Sequence, residues 1–176
     1  MITCFDAGHG GHDPGAVYHG WVEKDIALTW AKLLARTHDA TWGDFGCSSM
    51  TRTEDVYPSW DARYHEAEHA DALVSVHVNA GGGRGFEAWY HSEAGLALAE
   101  QIMALWPGEF RRGVKHDSTS RLGRLSILQD TKPPAVLLEL GFIDSPEDMR
   151  LLHDLDFALI ASQAIIDAVE DWYVNR

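Results

Sequence analysis

The chain has 176 residues with 45% hydrophobic content, which suits one domain that can bury a core of its own. Its 14 basic and 27 acidic residues leave a net charge of −13. This acidity argues against nucleic acid as a partner, because phosphate contacts need clustered Lys and Arg. It also argues against attachment to anionic membranes. No apolar stretch approaches the roughly 20 residues of a membrane span, so no membrane insertion is expected.

The N-terminus and the cysteines are consistent with synthesis in the cytoplasm. The first residues, MITCFDAGHGG, lack the basic region and the long apolar region of a secretory signal peptide. Cys4 and Cys47 form no CxxC pair. Cys4 lies in a predicted strand, where we expect it to pack as a small hydrophobic residue. A disulfide framework is therefore not expected.

Strand and helix patterns alternate along the chain. In chain order they predict a strand at 2–7, a helix at 22–36, a short strand and loop at 40–53, a helix at 59–70, strands at 72–80 and 86–92, a helix at 93–106, strands at 126–131 and 135–142, a helix that begins at 145, and a last helix at 156–173. This alternation predicts a single α/β domain over residues 1–176, with a mostly parallel, twisted sheet flanked by helices.

The segment DAGHGGHDPGA at 6–16 follows the first predicted strand and holds two histidines, two aspartates and four glycines. Glycine loses more backbone entropy on folding than other residues, and a turn by itself does not need four of them. The pattern indicates a backbone that passes close to another group. His9 and His12 suggest that this group is a metal ion or a polar substrate.

Four polar residues lie near predicted strand ends or at a helix start: His9, Glu23, His77 and Glu139. Because the C-terminal strand ends of open α/β sheets form the active-site crevice, we expect these residues to converge there. Glu139 is the most informative, since a carboxylate inside AVLLELGF is costly to bury unless another charge offsets it. Each residue also has an ordinary alternative: a salt-bridged or edge-strand glutamate, a core histidine, a first-turn acid, or a histidine bonded to a carbonyl.

Two imidazoles and one carboxylate form a His/His/Glu set of the kind that binds catalytic zinc, which takes three protein ligands and keeps a position for water. Zinc lowers the pKa of that water to about 7, and a further carboxylate, Glu139, is then available to take its proton. These residues by themselves predict a zinc hydrolase and leave the bond that it cleaves open.

Four segments carry a family resemblance, and they occur in the family's order over residues 2 to about 152. They are DAGHGGHDPGA, WVEKDIAL, TRTEDVYPSWDARYHEAEHADALVSVHVNAG and PPAVLLELGFIDSPEDMRLL. With these segments the chain resembles the zinc-dependent N-acetylmuramoyl-L-alanine amidases of the Amidase_3 type, which include bacterial cell-wall hydrolases and phage endolysins. The resemblance implies a phosphorylase/hydrolase-like α/β fold. No repeat or linker indicates a separate cell-wall-binding domain.

The resemblance also implies a role for each site residue. His9, Glu23 and His77 correspond to the three ligands of one catalytic Zn²⁺ ion, and Glu139 corresponds to the catalytic acid/base. Asn79, beside the site, is given a substrate-binding role. The implied reaction is hydrolysis of the amide bond between N-acetylmuramic acid and L-alanine in peptidoglycan, in which Glu139 protonates the departing alanine nitrogen.

The sequence departs from the family pattern in two scaffold segments. Ala67-Glu68-His69 stands where the family often places an asparagine, and TWGDFGCSSM lacks the apolar character usual before the Thr-Arg pair. His12 matches no ligand of the family and is interpreted as a loop residue. These departures concern local structure and leave the predicted chemistry unchanged.

The expected biological setting is that of a phage or prophage endolysin, a monomer made without a signal peptide and released to act on the murein layer. One alternative is the excised catalytic domain of a longer bacterial enzyme. A second is a zinc carboxypeptidase that acts on the stem peptide, for which Arg63 or Arg124 would bind the terminal carboxylate. A third is a wall-binding module without catalysis, against which the presence of Glu139 counts.

Overall fold

A six-stranded sheet forms the centre of the computed structural model, which describes residues 1–176. The eight strands are β1 (Ile2–Ala7), β2 (Val17–Tyr18), β3 (Trp21–Val22), β4 (Cys47–Met50), β5 (Ala72–Asn79), β6 (Phe86–Tyr90), β7 (Arg111–His116) and β8 (Ala135–Phe142). The sheet order is β4-β1-β5-β8-β6-β7, and β2 and β3 form a separate hairpin. All neighbours in the sheet are parallel except β8 and β6, which are antiparallel. The predicted fold class, an α/β domain with a mostly parallel sheet, is confirmed.

The helices cover the two faces of the sheet unequally. They are α1 (Glu23–Trp42), α2 (Trp60–Ala67), α3 (Glu93–Leu105), α4 (Ser126–Gln129), α5 (Pro146–Leu152) and α6 (Leu155–Asn175). The long helices α1, α3 and α6 share a cluster of 30 buried residues with one face. The short helices α2 and α4 share a cluster of only 7 buried residues with the other face. This thinly covered face leaves room for an open groove.

Helix α1 begins at Glu23, close to the predicted start, and continues to Trp42, past the predicted end at 36. The extension is stable because His38 is buried, and its Nε2 atom lies 3.1 Å from Thr3 Oγ1 in β1. The helix ends at Gly43, whose φ of 52° favours glycine. The predicted strand within 40–53 is β4, which is shorter than the segment.

The prediction of a strand at 126–131 is wrong, because residues Ser126–Gln129 form helix α4. Strand β8 already has β5 on one side and β6 on the other, so no free edge exists for an additional strand there. The adjacent residues Ile127 and Leu128 are both buried under the sheet, which a helical turn permits and an alternating strand does not.

Two other elements have weak sequence signals. Strand β7, with the sequence RRGVKH, forms the edge of the sheet beside β6. Its charged residues mask the strand pattern but suit an exposed edge. The β2–β3 hairpin turns at His19 and Gly20, both with positive φ, which is the conformation that two-residue hairpin turns require.

The two cysteines differ in burial. Cys4 is fully buried in the core and Cys47 is exposed, and both are free thiols. Cys4 therefore packs as the small hydrophobic residue that was predicted. None of the helices combines the length and the hydropathy that a membrane crossing requires.

Candidate metal centre

Strands β1, β5 and β8 lie in the same sheet in parallel, and they bring the predicted site residues to one end of it. His9 follows the end of β1, and His77 and Glu139 are direct neighbours in the register of β5 and β8. Both side chains project from the thinly covered face, because His77 and Glu139 lie an even number of residues after Leu73 and Leu137, which pack there. Glu23 approaches from the first turn of α1.

Three of the four predicted residues form one compact group. The Oε1 atom of Glu23 lies 3.0 Å from His9 Nε2 and 2.9 Å from His77 Nδ1. One potential ligand atom from each residue lies within 4.8 Å of the others. The two imidazole rings are 4.9 Å apart between centroids. This His/His/Glu group therefore has the composition and spacing of a zinc ligand set.

Further contacts orient each member of the group. His9 Nδ1 lies 2.9 Å from Asp13 Oδ2, which leaves Nε2 for the group. The backbone N–H of Ala16 donates to Glu23 Oε2 at 2.8 Å, so this oxygen is held away from the imidazoles. Outer contacts of this kind set the tautomer and direction of metal-binding side chains. Asp13 was not predicted from the sequence, although its position four residues after His9 was the available signal.

Burial favours the neutral form of Glu23, yet its contacts with His77 and His9 outweigh that effect and hold its pKa well below the usual range. Its side chain is only 7% exposed. The carboxylate is therefore ionised at neutral pH, which is the form that binds a cation.

The glycines of the 6–16 loop are explained by close contacts within the group. A Cβ atom on Gly8 would lie 2.4 Å from the His77 ring. A Cβ atom on Gly15 would lie 2.6 Å from Glu23 Oε2 and 2.7 Å from the His9 ring. These distances are shorter than van der Waals contacts allow, so the imidazoles and the carboxylate can meet only where the backbone has no side chain.

A buried ion pair between Arg63 and Asp6 holds the same loop in place. Arg63 in α2 donates to Asp6 Oδ1 at 2.5 Å, to the carbonyl of Ala7 at 3.0 Å and to the carbonyl of His9 at 2.6 Å. Arg52 donates to the carbonyl of Gly8 at 2.8 Å. The loop backbone therefore forms hydrogen bonds with these two guanidinium groups instead of with a neighbouring strand or helix. Their role was missed at the sequence level, because the contacts span more than 40 residues of chain.

Glu139 lies beside the ligand group and outside it. Its Oε2 atom is buried and has no hydrogen-bond partner. Burial raises the pKa of this carboxyl well above the usual range, and the negative charges of Glu23 and Glu87 raise it further against the opposing effect of Lys115. An unpaired buried acid is unfavourable, and a bound cation next to it would offset that cost. The donor set and this orphaned oxygen both fit zinc.

Two adjoining cavities reach these residues from the solvent. One, of about 260 Å³, is lined by His9 and His77. The other, of about 510 Å³, is lined by Glu139 and Asn79. Residues of the segment 119–125 contribute to the walls of both. The group is therefore accessible from the solvent.

The fold and the site together indicate the class of protein. An α/β sheet that presents a His/His/Glu group with a buried carboxyl beside it has the parts of a metal-dependent hydrolase. A family model described as N-acetylmuramoyl-L-alanine amidase matches residues 4–171. The chain belongs to this family.

Relatives and solved structures support the same assignment. The chain is 34% identical to "Probable cell wall amidase LytH" of Staphylococcus aureus, and the match covers 96% of this chain and 57% of LytH. The chain thus spans little more than half the length of this curated relative. The amidase AmiC2 of Nostoc punctiforme is 26% identical with a TM-score of 0.86, and the match covers 100% of this chain and 98% of AmiC2.

The catalytic domain of an endolysin that targets Clostridia Difficile is 25% identical with a TM-score of 0.79 over 97% of both chains. The same fold therefore occurs in an amidase and in an endolysin domain.

Proposed function

We propose that this chain hydrolyses the amide bond between N-acetylmuramic acid and L-alanine in peptidoglycan. In this proposal His9, Glu23 and His77 hold one Zn²⁺ ion, and Glu139 is the general acid/base. The observation that carries the proposal is the His/His/Glu group next to a buried carboxyl oxygen without a partner. Membership of the amidase family supports the choice of bond.

The proposed chemistry divides the work between the metal and one side chain. Zinc, when bound, supplies a Lewis acid that lowers the pKa of water and polarises a carbonyl group. Glu139 takes a proton from the attacking water and delivers it to the alanine nitrogen as the C–N bond breaks. Its free Oε2 atom suits both transfers, because no hydrogen bond within the protein has to be broken first.

Asn79 is proposed to contact the substrate. It lines the same cavity as Glu139, and its Nδ2 atom donates to Glu87 Oε2 at 3.3 Å. Lys115 reaches Glu87 at 2.7 Å and borders the same cavity. The cavity wall therefore combines an amide with a cation, which suits the amide and carboxylate groups of a stem peptide.

The carboxypeptidase alternative loses one of its two candidate residues. Arg63 is buried and committed to Asp6 and to two backbone carbonyls, so its guanidinium is not free to bind the terminal carboxylate of a peptide. Arg124 lines the cavity of His9 and His77, and its ion pair with Asp130 is exposed, so it can be exchanged for another carboxylate at little cost. The products released from peptidoglycan therefore decide between the two reactions. A binding module without catalysis gives no reason for an unpaired acid at Glu139.

The endolysin role stays a prediction. The relatives include a cell wall amidase of Staphylococcus aureus and an endolysin domain, and both are compatible with the proposed reaction.

The deciding experiment is mass spectrometry of the products released from purified peptidoglycan by wild-type protein and by Glu139→Gln. We expect wild type to release stem peptides with a new free L-alanine amine. We expect Glu139→Gln to be slower by about 10²- to 10⁴-fold, the usual contribution of a general acid/base. Glu100→Gln, at an exposed position of α3, is the matched control and should resemble wild type.

Other products would contradict the proposal in distinct ways. Shortened peptides that remain attached to muramic acid would mean a peptidase. Retained binding to the wall without any product would mean a binding module. Removal of zinc with a chelator should abolish release of peptides, and added Zn²⁺ should restore it.

A further inference from the structure

A second group of metal-binding side chains lies at the other end of the sheet. His91 follows β6, His116 ends β7, and Asp117 comes next in the chain. Because β6 runs antiparallel to β8, with Glu87 opposite Glu139 and Tyr90 opposite Val136, the end of β6 points away from Glu139. The two groups are therefore separate, and the proposed reaction makes no use of this one.

The second group repeats the geometry of the first. Asp117 Oδ1 lies 3.0 Å from His91 Nδ1 and 3.4 Å from His116 Nδ1. One ligand atom from each residue again lies within 4.8 Å of the others. The two ring centroids are 5.4 Å apart. In both groups a single buried carboxylate oxygen faces one nitrogen from each of two imidazoles.

Hydrogen bonds around the second group orient its side chains, as they do around the first. The other oxygen of Asp117 accepts from the backbone N–H of Leu125 at 3.3 Å and from the side-chain amide of Gln129. His116 Nε2 lies 3.2 Å from the carbonyl of His91 and can donate to it. Metal-binding imidazoles commonly donate their second N–H to a carbonyl in this way.

His116 Nδ1 has two contacts with Ser118: the backbone N–H donates to it at 3.2 Å, and the hydroxyl group lies 2.8 Å away. A metal ion bound at this nitrogen would take the place of these contacts. The imidazole side chains are 42% and 38% exposed, and solvent can reach them, whereas Asp117 is fully buried.

We propose that His91, His116 and Asp117 bind a second Zn²⁺ ion, and that this ion fixes the segment 117–125 against the active-site groove. Two imidazoles with one carboxylate suit zinc rather than magnesium or calcium, which prefer oxygen ligands. Asp117 begins the segment and also holds its far end through Leu125. Leu122 and Leu125 line both cavities of the metal centre.

The first test counts zinc ions per chain by elemental analysis after equilibration with Zn²⁺ and removal of the unbound metal. We expect two in wild type, one in His91→Ala, one in His116→Ala, one in His77→Ala and none in the double variant His77→Ala/His116→Ala. His69→Ala is the matched control, because His69 is exposed and belongs to neither group. Far-UV circular dichroism confirms that each variant is folded.

These counts separate the second site from the catalytic one. Full zinc content in both His91→Ala and His116→Ala would overturn the proposal. A single zinc in wild type that only His77→Ala removes would overturn it as well. Loss of zinc in His116→Ala but not in His77→Ala would instead contradict the catalytic site and leave the second site in place.

The second test measures the segment itself by trypsin digestion. Arg121 and Arg124 are exposed and lie within it. Added Zn²⁺ should slow cleavage after these residues in His77→Ala, which keeps only the second site, and should have no effect in His77→Ala/His116→Ala. Equal protection of both proteins would show that the second site does not hold the segment.

Discussion

At the scale of single residues, the buried pair of Asp6 and Arg63 carries the loop that presents His9. Burial favours the neutral form of Asp6, yet Arg63 and hydrogen bonds from Ser75 and Thr51 outweigh it, so the pKa of Asp6 is lowered. A carboxylate that is more acidic in the folded protein stabilises the fold above its unfolded pKa of about 3.9. That stabilisation is lost as the pH falls through the lower, folded pKa.

We therefore predict that Asp6→Asn lowers the free energy of unfolding by about 3–5 kcal/mol at pH 7, because Arg63 loses its buried partner. The difference from wild type should shrink as the pH falls below about 4, where Asp6 of the unfolded chain takes up a proton, and should vanish below the lower, folded pKa. Urea unfolding of the metal-free proteins over a pH series measures this difference. Asp44→Asn, at an exposed position, is the control. A difference that stays constant down to low pH would contradict the assignment to Asp6.

At the scale of elements, the ends of three parallel strands and the first turn of α1 form the metal centre. The loop after β1 has to pass between these elements. Gly8 sits where that loop crosses the His77 ring. The glycines at 6–16 predict that the backbone passes close to another group. In the structure this group consists of two side chains of the same chain, the His77 ring and the Glu23 carboxylate. The glycines thus permit the ligands to meet.

We predict that Gly8→Ala lowers zinc affinity by at least about tenfold, the lower range seen when contacts around a metal ligand are disturbed. The added methyl group would lie 2.4 Å from the His77 ring, which has to move. Gly20→Ala is the comparison, because a Cβ atom there meets nothing within 4 Å and adds only backbone strain. Competition with a chromophoric chelator measures both affinities. Equal zinc affinity in the two variants would count against the proposed ligand geometry.

Elements that differed from prediction did so for reasons of packing. Residues 126–131 are predicted as a strand, but both sides of β8 are occupied, so the segment turns into α4 beneath the sheet. Strand β7 is built from a basic segment that no hydrophobic pattern reveals, and its pairing with β6 depends on the sheet edge that β6 offers.

At the scale of the whole molecule, the net charge of −13 and the open groove determine how the protein meets a polymer. The cations beside Glu139, such as Lys115, are already paired with Glu87. Long-range attraction to an acidic wall is therefore weak, and short-range contacts in the groove have to supply the binding.

We predict that added salt leaves the rate on acidic cell walls unchanged or raises it. Between about 0.1 M and 1 M salt the screening length falls from about 10 Å to about 3 Å, which weakens repulsion between the acidic protein and an acidic polymer. Release of soluble products from whole walls over a salt series measures this effect. A steep fall in rate with salt would show that electrostatic attraction drives binding.

The fold class and the candidate chemistry could both be predicted from the amino-acid sequence. The positions of strands and helices follow from the local periodicity of apolar residues. Four polar residues predicted that the site lies at one end of the sheet, where the strands terminate. His9, Glu23 and His77 do meet there, and Glu139 lies on the neighbouring strand. Their roles as zinc ligands and acid/base stay a proposal that the zinc and product measurements test.

The contacts that support that site could not be predicted from the sequence, because they join residues far apart in the chain. Arg63 lies 57 residues from Asp6 in the chain, and His91 lies 26 residues from Asp117. No local pattern encodes such pairs, because they depend on strand order and on the reversal of β6 within the sheet. Burial is likewise a property of the folded molecule, and burial is what leaves the Glu139 oxygen without a partner.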